Sequence, residues 1–551
     1  MIDRDPRRRL AATTRCLLWP AAALLPAGMA CAQTSVEGVP ANRPDQNPMR
    51  APSRGGPTPT NFIARNPNAP IAPFQLRGAS VAGATLPPPQ VEAAYAPFVG
   101  RTIDNKTLTD ITDAVASAYG KSDVALYEVL VPQQDFAGGI LRLVAVEGYI
   151  ESVEVRGKLR HRRLALLRSY LRRIEQERPL HTSTLQRVVS LIRDLPGFFP
   201  DLSFERGHDQ GAVKLVVTAH EKPVQLSLGI SDRGTAFLGR TQVQADAYVN
   251  GVLGGGDQLR GTLVLPTHVD RFQYYALGYS TPLDTDGTTL SLDVSHLRTR
   301  PAAFPLKGSA TAFGLQLSRP LIRSYKRNLY LTLGLDGIDV DNALLGFTLS
   351  DDRIRATRLA ASYSYTAARN ELSLSGTASF GLDVLGARVL AGQSDQRFRK
   401  VNLKGSDAQQ IGKTFVLRVS GFGQLTPDRL PASEQIALGG DEFGRAYEAA
   451  IIAGDYGFAG SGELAWRPRG LPKLVDGSEL YAFGDGGKIW YRSRFGFAGF
   501  QSHIQSVGGG IRLHVVKRAV VQIEASRGLT NPVFYEDREK WRALFSIRTI
   551  L

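Results

Sequence analysis

The chain has 551 residues, with 66 Lys and Arg against 51 Asp and Glu, and a formal net charge of +15. Its only cysteines are Cys16 and Cys31, so the rest of the chain can form neither a disulfide framework nor a cysteine-based metal site. Downstream of residue 32 no stretch approaches the ~18 apolar residues of a membrane helix. A membrane role would therefore require a closed β-barrel.

The N-terminus has the pattern of a secretory signal peptide. The basic residues Arg7 to Arg9 precede an apolar stretch that ends in an A-x-A cleavage site at residues 30–32. We predict a signal peptide over residues 1–32, and its removal takes both cysteines and +3 of the net charge, from five Arg and two Asp. Export favours anionic headgroups and lipopolysaccharide phosphates, and not nucleic acid, as partners of the remaining basic charge.

Residues 33–73 are rich in Pro, Asn, Arg and Gly and show no apolar periodicity. Such a composition buries too little apolar surface to offset the entropy of ordering. We predict a disordered or extended linker here.

Residues 74–221 read as two successive β-α-α-β-β modules, 74–148 and 149–221. In the first, a short strand near 74–81 and a Pro-punctuated segment precede an amphipathic helix, and strands follow at 124–131 and 140–146. In the second, a strand at 150–155 precedes two helices, the latter with Thr182 or Ser183 as a candidate N-cap. The apolar positions of the three helices are Leu108, Ile111, Val115 and Ala118; Leu164, Leu167, Leu171 and Ile174; and Leu185, Val188, Val189, Ile192 and Leu195.

From residue 222 to residue 551 the periodicity changes to two. Apolar residues alternate with small or polar ones at 224–230, at 329–335 and at 541–551, between turns rich in Gly, Asp and Asn. This alternation is typical of a transmembrane β-barrel, although a soluble β-sandwich alternates in the same way. The signal peptide and the length of the region favour the barrel, with about sixteen antiparallel strands of ~10 residues each.

The order of these parts resembles a known family. Val131-Pro132-Gln133-Gln134, Gly138-Gly139-Ile140-Leu141 and the run from Val146 to Gly157 are similar to the signature of a POTRA module. Two such modules before a barrel resemble the TpsB transporters of the FhaC/ShlB type, within the BamA-like superfamily. The resemblance implies a fold of α+β periplasmic POTRA modules followed by an all-β transmembrane barrel. It also implies an outer-membrane location in a Gram-negative bacterium.

Two barrel motifs extend the resemblance. Residues 438–448 (LGGDEFGRAYE) resemble the VRGY/F motif of a sixth extracellular loop that folds back into the lumen, with Phe443, Gly444, Arg445 and Tyr447 at the motif positions. Gly444 stands where the family has Val, and Ala446 stands where it has Gly.

Residues 479–487 (ELYAFGDGG) resemble the F-x-D-x-G strand motif, with Phe483, Asp485 and Gly487 on the barrel wall. Alternation places Phe483 and Asp485 on one face. Because a guanidinium fits a carboxylate, we expect Arg445 to pair with Asp485 and to hold the loop inside the pore.

The resemblance implies secretion, with possible activation, of a large TpsA-type exoprotein such as a haemolysin or adhesin. The POTRA region 74–221 is expected to capture the unfolded substrate, in part by β-augmentation of exposed strand edges. The barrel-assembly machinery is an expected partner during biogenesis. The alternatives are a BamA/TamA-like insertase, which usually carries more POTRA modules, a passive porin-type channel, which lacks them, and an adhesin scaffold, which needs long extracellular loops.

Other signals are weaker. The arginine-rich stretch 156–178 suggests nucleic-acid binding, but its leucines form one helical face, so we expect a solvated or substrate-facing surface. No phosphate-binding loop, nucleophile elbow or HExxH pattern is present, so we expect no enzyme, no cofactor and no metal. Residues 33–73 contain no amphipathic helix able to plug the pore. The chain ends in Leu551 where barrel strands commonly end in an aromatic residue, and Phe545 is the nearest aromatic on the outward face.

Overall fold

The computed structural model describes residues 71–302, 305–345, 347–515, 518–532 and 541–550. The predicted signal peptide, the linker up to residue 70 and Leu551 lie outside the described residues. Two small α+β modules precede a closed barrel of sixteen antiparallel strands, so the predicted fold class is confirmed. None of the helices in the described ranges has the length and apolar character needed to traverse a lipid bilayer.

The first module contains two helices and five short strands. Its elements are β1 (Phe74–Gln75), β2 (Gly78–Ala82), α1 (Pro88–Tyr95), β3 (Thr102–Ile103), α2 (Asn105–Gly120), β4 (Tyr127–Leu130) and β5 (Ile140–Glu147). The order in its main sheet is β2-β5-β4, with β2 parallel and β4 antiparallel to β5. The strand expected near 74–81 is interrupted, and the Pro-punctuated segment after it contains α1.

Helix α2 shows why this module folds. Asp104 caps its N-terminus by accepting a hydrogen bond from the Thr107 N–H at 2.8 Å. Leu108, Ile111 and Val115 are buried at helical spacing, as the sequence indicates, and Tyr119 completes the face. Burial and a hydrogen bond to the Glu147 carboxylate raise the pKa of Tyr119 above its ordinary value.

The second module repeats this topology. Its elements are β6 (Tyr149–Arg156), α3 (His161–Gln176), α4 (Thr182–Asp194), β7 (Phe198–Arg206) and β8 (Ala212–Glu221). The sheet order is β6-β8-β7, so the first strand is again parallel to the last, which lies in the middle. In both modules the helices cover one face of the sheet and enclose a separate hydrophobic core.

The N-terminus of α4 corrects one expectation. Thr182 is the first helical residue and His181 occupies the N-cap position without a side-chain bond, so neither Thr182 nor Ser183 is the cap. Asp123 of the first module supplies the acceptors instead, from its carbonyl to the Thr182 N–H at 2.6 Å and from its carboxylate to the Ser183 N–H at 2.9 Å. The local pattern could not show this because the acceptor belongs to the preceding module.

The barrel closes because its last strand, Trp541–Ile550, pairs with its first strand, Val224–Ser231, from Ser546↔Ser231 to Ile550↔Ser227. Its strands follow one another round the wall in chain order. They are β9 (Val224–Ser231), β10 (Gln242–Asn250), β11 (Gln258–Pro266), β12 (Phe272–Pro282), β13 (Thr289–Thr299), β14 (Leu306–Arg323), β15 (Arg327–Leu344), β16 (Phe347–Thr366), β17 (Asn370–Gly381), β18 (Arg399–Ile411), β19 (Phe415–Leu425), β22 (Tyr456–Trp466), β23 (Glu479–Tyr491), β24 (Phe500–Val515), β25 (Ala519–Gly528) and β26 (Trp541–Ile550).

The two faces of the wall have opposite character. On β15, Leu331, Leu333 and Leu335 are exposed on the outer face, at 41%, 52% and 47% of their surface. On the same strand, Asp336 points inward to Arg358 of β16, with a hydrogen bond of 2.6 Å. Apolar side chains outside and charges inside are the pattern of a barrel in lipid.

We name the end of the barrel that faces the second module proximal and the other end distal. The turns after β10, β12 and β14 are proximal because they contact α3 and α4. Strands β14, β15 and β16 have 18, 18 and 20 residues, and residues 347–355 of β16 continue past its pairing with β17 at the distal end. Chain order makes residues 426–455 the sixth distal loop, and it contains β20 (Ile436–Leu438) and β21 (Ile452–Gly454).

The arginine-rich helix has a role that the sequence did not indicate. Arg160 of the preceding turn donates to the Gly251 carbonyl at 3.0 Å, and Arg162 of α3 donates to the Leu253 carbonyl. Arg187 of α4 donates to the carbonyls of Asp286 and Pro320, each at 3.0 Å. The expectation of a solvated or substrate-facing surface was therefore wrong for Arg160 and Arg162, which together with Arg187 bind the module to proximal turns of the barrel.

Candidate functional site

The sixth distal loop folds back into the barrel lumen. Its two limbs pair with each other through β20 and β21, from Ile436↔Gly454 to Leu438↔Ile452. Gln424 of β19 holds both limbs, since its side-chain amide donates to the carbonyls of Glu434 at 3.0 Å and Asp455 at 2.8 Å. The buried residues Ile436, Leu438, Phe443, Tyr447 and Ile452 then pack against Ile489 and Ile504 of the wall. The loop is therefore a packed part of the lumen.

The tip of the loop is held through its backbone. Asp485 of β23 accepts hydrogen bonds from the Gly444 N–H at 2.9 Å and from the Arg445 N–H at 3.3 Å. Gly444 has φ +80°, which a side chain rarely adopts, and a Cβ there would lie 2.3 Å from Ile504 Cδ1. The glycine that replaces the family's Val is thus required by the turn that presents two amides to one carboxylate.

The Arg445 side chain has more than one acidic neighbour. Its Nε lies 3.7 Å from Asp485 Oδ2, which is an ion pair without a hydrogen bond. The shortest side-chain contact is instead with Glu463 of β22, at 2.9 Å from Nη1, and Glu524 of β25 is 3.6 Å away. The structure thus brings Arg445 and Asp485 together, but it distributes the guanidinium over three carboxylates.

Phe483 and Gly487 complete the wall beneath the tip. The Arg445 guanidinium lies 4.2 Å from the centroid of the Phe483 ring, a cation–π contact. A Cβ at Gly487 would lie 2.7 Å from Leu438 Cδ1, so this glycine makes room for the first limb of the loop. The alternation of β23 therefore places Phe483, Asp485 and Gly487 on the face that receives the loop.

Phe443 and Tyr447 fix the two sides of the tip. Phe443 is buried in the same cluster as Ile504. The Tyr447 hydroxyl donates to the Thr530 carbonyl at 2.6 Å and lies 3.0 Å from the Gln505 carbonyl. This tyrosine ties the tip to β24 and to the start of the eighth distal loop.

Several residues of this site have no motif to reveal them. Glu463, Glu479 and Arg512 form a proximal continuation of the charge cluster, with Arg418 donating to Glu463 at 2.8 Å and to Glu479 at 2.9 Å. Arg512 contacts both glutamates. Glu463, Glu479, Arg512 and Arg418 lie on four different strands. The sequence could have indicated them only if the residues of each strand that face the lumen had been known.

The second limb of the loop ends on a buried acid. The Asp455 carboxylate accepts hydrogen bonds from the Leu430 N–H at 2.7 Å and from the Arg492 N–H at 2.8 Å. Its Oδ1 also contacts the Arg494 guanidinium. These bonds close the loop on itself and on the neighbouring distal turn.

The second module carries a separate groove of about 580 Å³ between β6 and α3. Val153, Val155 and Leu164 form its apolar wall, and the charged residues Arg168, Arg172 and Glu175 line its rim. Strand β6 is an edge of its sheet. Beside the groove, hydrogen bonds from Arg156 and Lys214 lower the pKa of Glu154 to about 2, so this acid is charged at neutral pH.

The lumen site consists of ion pairs and packed apolar side chains. Among the described residues there is no group of three or more His, Cys, Asp or Glu arranged to hold a metal ion. The arginines and carboxylates of the lumen contact each other.

Comparison with known proteins assigns this architecture. The family model described as haemolysin secretion/activation protein ShlB/FhaC/HecB matches residues 210–513, and a ShlB-type POTRA domain matches residues 74–148. Outer membrane transporter CdiB of Escherichia coli O6:K15:H31 is 24% identical over 449 residues, which cover 76% of this chain and 75% of the relative. Heme/hemopexin transporter protein HuxB of Haemophilus influenzae 86-028NP is 20% identical, with 81% of each chain covered. The solved structure of CdiB from Escherichia coli has the same fold, with a TM-score of 0.67, 20% identity and full coverage of both chains.

Proposed function

The chain belongs to the haemolysin secretion/activation family ShlB/FhaC/HecB, and we propose that it exports one large partner exoprotein by two-partner secretion. It is an outer-membrane β-barrel of a Gram-negative bacterium with its POTRA modules in the periplasm. The observation that carries the proposal is the sixth loop, packed inside the lumen of a barrel that two POTRA modules precede. The partner is a TpsA-type exoprotein, such as a haemolysin or an adhesin.

Transport in this proposal is a movement of chain without bond chemistry. The loop occupies the lumen at rest, so the partner passes only after the loop is displaced. The ion pairs that hold the loop are exchanged for contacts of comparable polarity, which lowers the barrier relative to a wholly apolar plug. Folding of the exported partner outside the cell then hinders its return. The chain acts as a transporter and not as an enzyme.

Arg445, Asp485 and their neighbours are the proposed position-setting residues of the loop. Asp485 orients the tip through two amides, and Phe483 and Glu463 receive the guanidinium. The geometry of the tip around Arg445 is fixed by its neighbours Phe443, Gly444, Tyr447 and Gly487. A buried charge cluster specifies one loop position more than it adds stability, because desolvation offsets much of the attraction.

The groove on the second module is the proposed capture site for the unfolded partner. An extended segment can pair with the free edge of β6 and place alternate apolar side chains against Val153, Val155 and Leu164. Arg168 and Arg172 at the rim favour a segment that also carries a carboxylate.

This capture site is tested by the affinity of the purified chain for the N-terminal secretion domain of its partner. Exchange of both rim arginines for glutamate (Arg168→Glu, Arg172→Glu) should weaken binding at least about tenfold, the equivalent of ~1.4 kcal/mol. Arg206→Glu on β7, at the opposite edge of the same sheet, is the matched control and should leave the affinity unchanged. Equal losses in the two variants would locate capture elsewhere.

Other partners follow from the location. The apolar outer face of the barrel contacts outer-membrane lipid, and basic residues at its ends suit lipopolysaccharide phosphates. The barrel-assembly machinery inserts it during biogenesis.

Activation of the partner during export is part of the proposal. The module boundaries 74–148, 149–221 and 222–551 and a signal peptide over 1–32 are also part of it.

Deletion of the gene, with complementation, distinguishes export from the rival function. Loss of one large exoprotein from the culture supernatant and cell surface, with other outer-membrane barrels at normal abundance, supports a dedicated transporter. A general fall in barrel proteins without a missing exoprotein would identify a BamA- or TamA-like insertase. Altered uptake of small solutes alone would identify a porin-type channel.

A further inference from the structure

The first limb of the sixth loop carries a charge cluster that no family motif includes. Glu434 is 2% exposed and lies in a short turn just before β20. Its carboxylate accepts hydrogen bonds from Arg358 of β16 at 2.7 and 3.1 Å, and Lys400 of β18 lies 2.7 Å from it. Lys400, fully buried at its side chain, also donates to the Glu434 carbonyl at 2.9 Å.

The wall side of this cluster is organised in advance. Asp336 of β15 binds the Arg358 guanidinium with two hydrogen bonds of 2.6 and 2.8 Å, and Ser379 of β17 accepts a third at 2.9 Å. Two cations and two carboxylates therefore balance when the loop is in the lumen. Removal of the loop takes Glu434 away, so the wall loses the carboxylate that balances Lys400 and part of Arg358 and keeps an excess of one positive charge.

This cluster lies on a different part of the wall from the tip. Arg358 stands on β16 and Asp485 on β23, and β17, β18, β19 and β22 separate the two strands round the barrel. None of the contacts of Glu434 with Arg358 and Lys400 involves Arg445 or Asp485. Beside the hydrogen bonds of Gln424, Tyr447 and Asp455, the loop thus has two buried ion-paired attachments to the strands, one for the tip and one for the first limb, on separate groups of strands.

We propose that Glu434 is a second positioning residue, which holds the first limb of the loop in the lumen independently of Arg445. The loop leaves the lumen only when both attachments are released. This inference rests on the proposed transport function, because only a chain that must pass through the barrel requires the loop to move.

A cysteine at Ser433 reports the position of the first limb. Ser433 is 6% exposed and adjoins Glu434, and Ser433→Cys is a nearly isosteric change. The sequence has no cysteine after Cys31, so removal of the predicted signal peptide leaves this thiol as the only one. The rate of its reaction with N-ethylmaleimide, followed by mass spectrometry on the purified full chain without partner, measures how often the limb leaves the wall.

The matched pair of variants is Glu434→Gln and Glu442→Gln, both in the same loop. Glu442 pairs with Lys404 at 2.7 Å, but its side chain is 50% exposed, so its loss should matter little. We expect Glu434→Gln to raise the labelling rate of the Ser433→Cys thiol at least tenfold and Glu442→Gln to leave it unchanged. Glu434→Asp, which keeps the carboxylate, should restore most of the protection. Arg445→Ala alone should leave the thiol protected.

Two results would overturn the inference: slow labelling in Glu434→Gln, or labelling in Arg445→Ala as fast as in Glu434→Gln. Resistance of the folded barrel to SDS at room temperature shows that each variant is assembled, and Lys400→Gln provides a milder variant with an intermediate expected rate. If labelling follows the expectation in a chain that exports no partner, the proposed function fails while the second attachment stands.

Discussion

The lumen wall and the junction between the second module and the barrel both depend on arginine, but the two regions offer the guanidinium different acceptors. In the lumen, Arg358 and Arg445 contact carboxylates on neighbouring strands and on the loop. At the junction, Arg160 and Arg187 donate to backbone carbonyls of the proximal turns. One buried arginine, Arg323 of β14, instead binds the Asp194 carboxylate of α4 with two hydrogen bonds of 2.7 Å. A lost lumen arginine leaves buried charges without their partner, whereas a lost junction arginine leaves carbonyls that water can reach.

The difference also separates what each region does. Carbonyl acceptors are present in any turn, so Arg160 and Arg187 fix the orientation of the module without setting a charge balance. Carboxylate acceptors set a charge balance that changes when the loop moves. The lumen is therefore suited to alternative states, and the junction to a constant geometry.

The largest effect is expected from Arg358→Met. This change leaves Asp336 and Glu434 without their shared guanidinium, and breaking a buried pair costs about 3–5 kcal/mol in the free energy of unfolding. Urea unfolding of the barrel in lipid vesicles, followed by tryptophan fluorescence, measures the change. Arg397→Met is the control, because Arg397 is 77% exposed in its ion pair with Asp383. If Arg358→Met lowers the free energy of unfolding no more than Arg397→Met does, the buried ion pairs of the lumen do not contribute more than exposed ones.

A smaller effect is expected at the junction from Arg187→Met. Arg187 donates to three carbonyls, of Asp286, Pro320 and Leu321, and the substitution keeps most of the apolar stem. We expect a cost of about 2 kcal/mol in local opening, since hydrogen bonds from a charged group contribute ~1.5–3 kcal/mol. Hydrogen exchange of the proximal turns should accelerate, while exchange in the lumen strands stays constant. Arg168→Met, in the groove, should change neither.

Arg445→Ala is expected to reduce export at least about tenfold, the equivalent of ~1.4 kcal/mol, with normal assembly of the barrel. Its loss removes the contacts to Glu463 and Phe483, but Glu463 retains Arg418 and Arg512. Export of the partner into the supernatant, normalised to transporter at the cell surface, is the measurement. Arg445→Lys keeps the charge without the planar guanidinium, so its export should lie between that of Arg445→Ala and that of the parent chain. Normal export by Arg445→Ala at normal surface abundance would refute the role of the tip.

The smallest effect is expected from Lys404→Met. Lys404 and Glu442 are 32% and 50% exposed at their side chains, so the pair contributes within about 0.5 kcal/mol. Unfolding and export should both match the parent chain. A loss in the free energy of unfolding comparable with that of Arg358→Met would mean that solvent exposure does not distinguish weak ion pairs of the loop from strong ones.

The sequence predicted the architecture because its signals are local. Period-two alternation identified the barrel strands, helical spacing identified Leu108, Ile111 and Val115 on α2, and the resemblance of residues 438–448 and 479–487 pointed to a loop beside β23. Contacts between distant segments that carry no motif could not be predicted in this way. Glu463 and Glu434 carry no motif, and the arginines of α3 looked like a solvated face because their acceptors are carbonyls about ninety residues later. The prediction of the N-cap of α4 was wrong for the same reason, since the acceptor residue Asp123 belongs to the other module.

The most direct test of the account is reconstitution of the purified chain in lipid vesicles, with the unfolded partner added on the side of the POTRA modules and no nucleotide present. We expect the parent chain to transfer the partner into the vesicle, where the partner becomes resistant to added protease. Arg445→Ala should transfer at least about tenfold less, the equivalent of ~1.4 kcal/mol. Partner that stays protease-sensitive with the correctly folded parent chain would contradict transport by this protein.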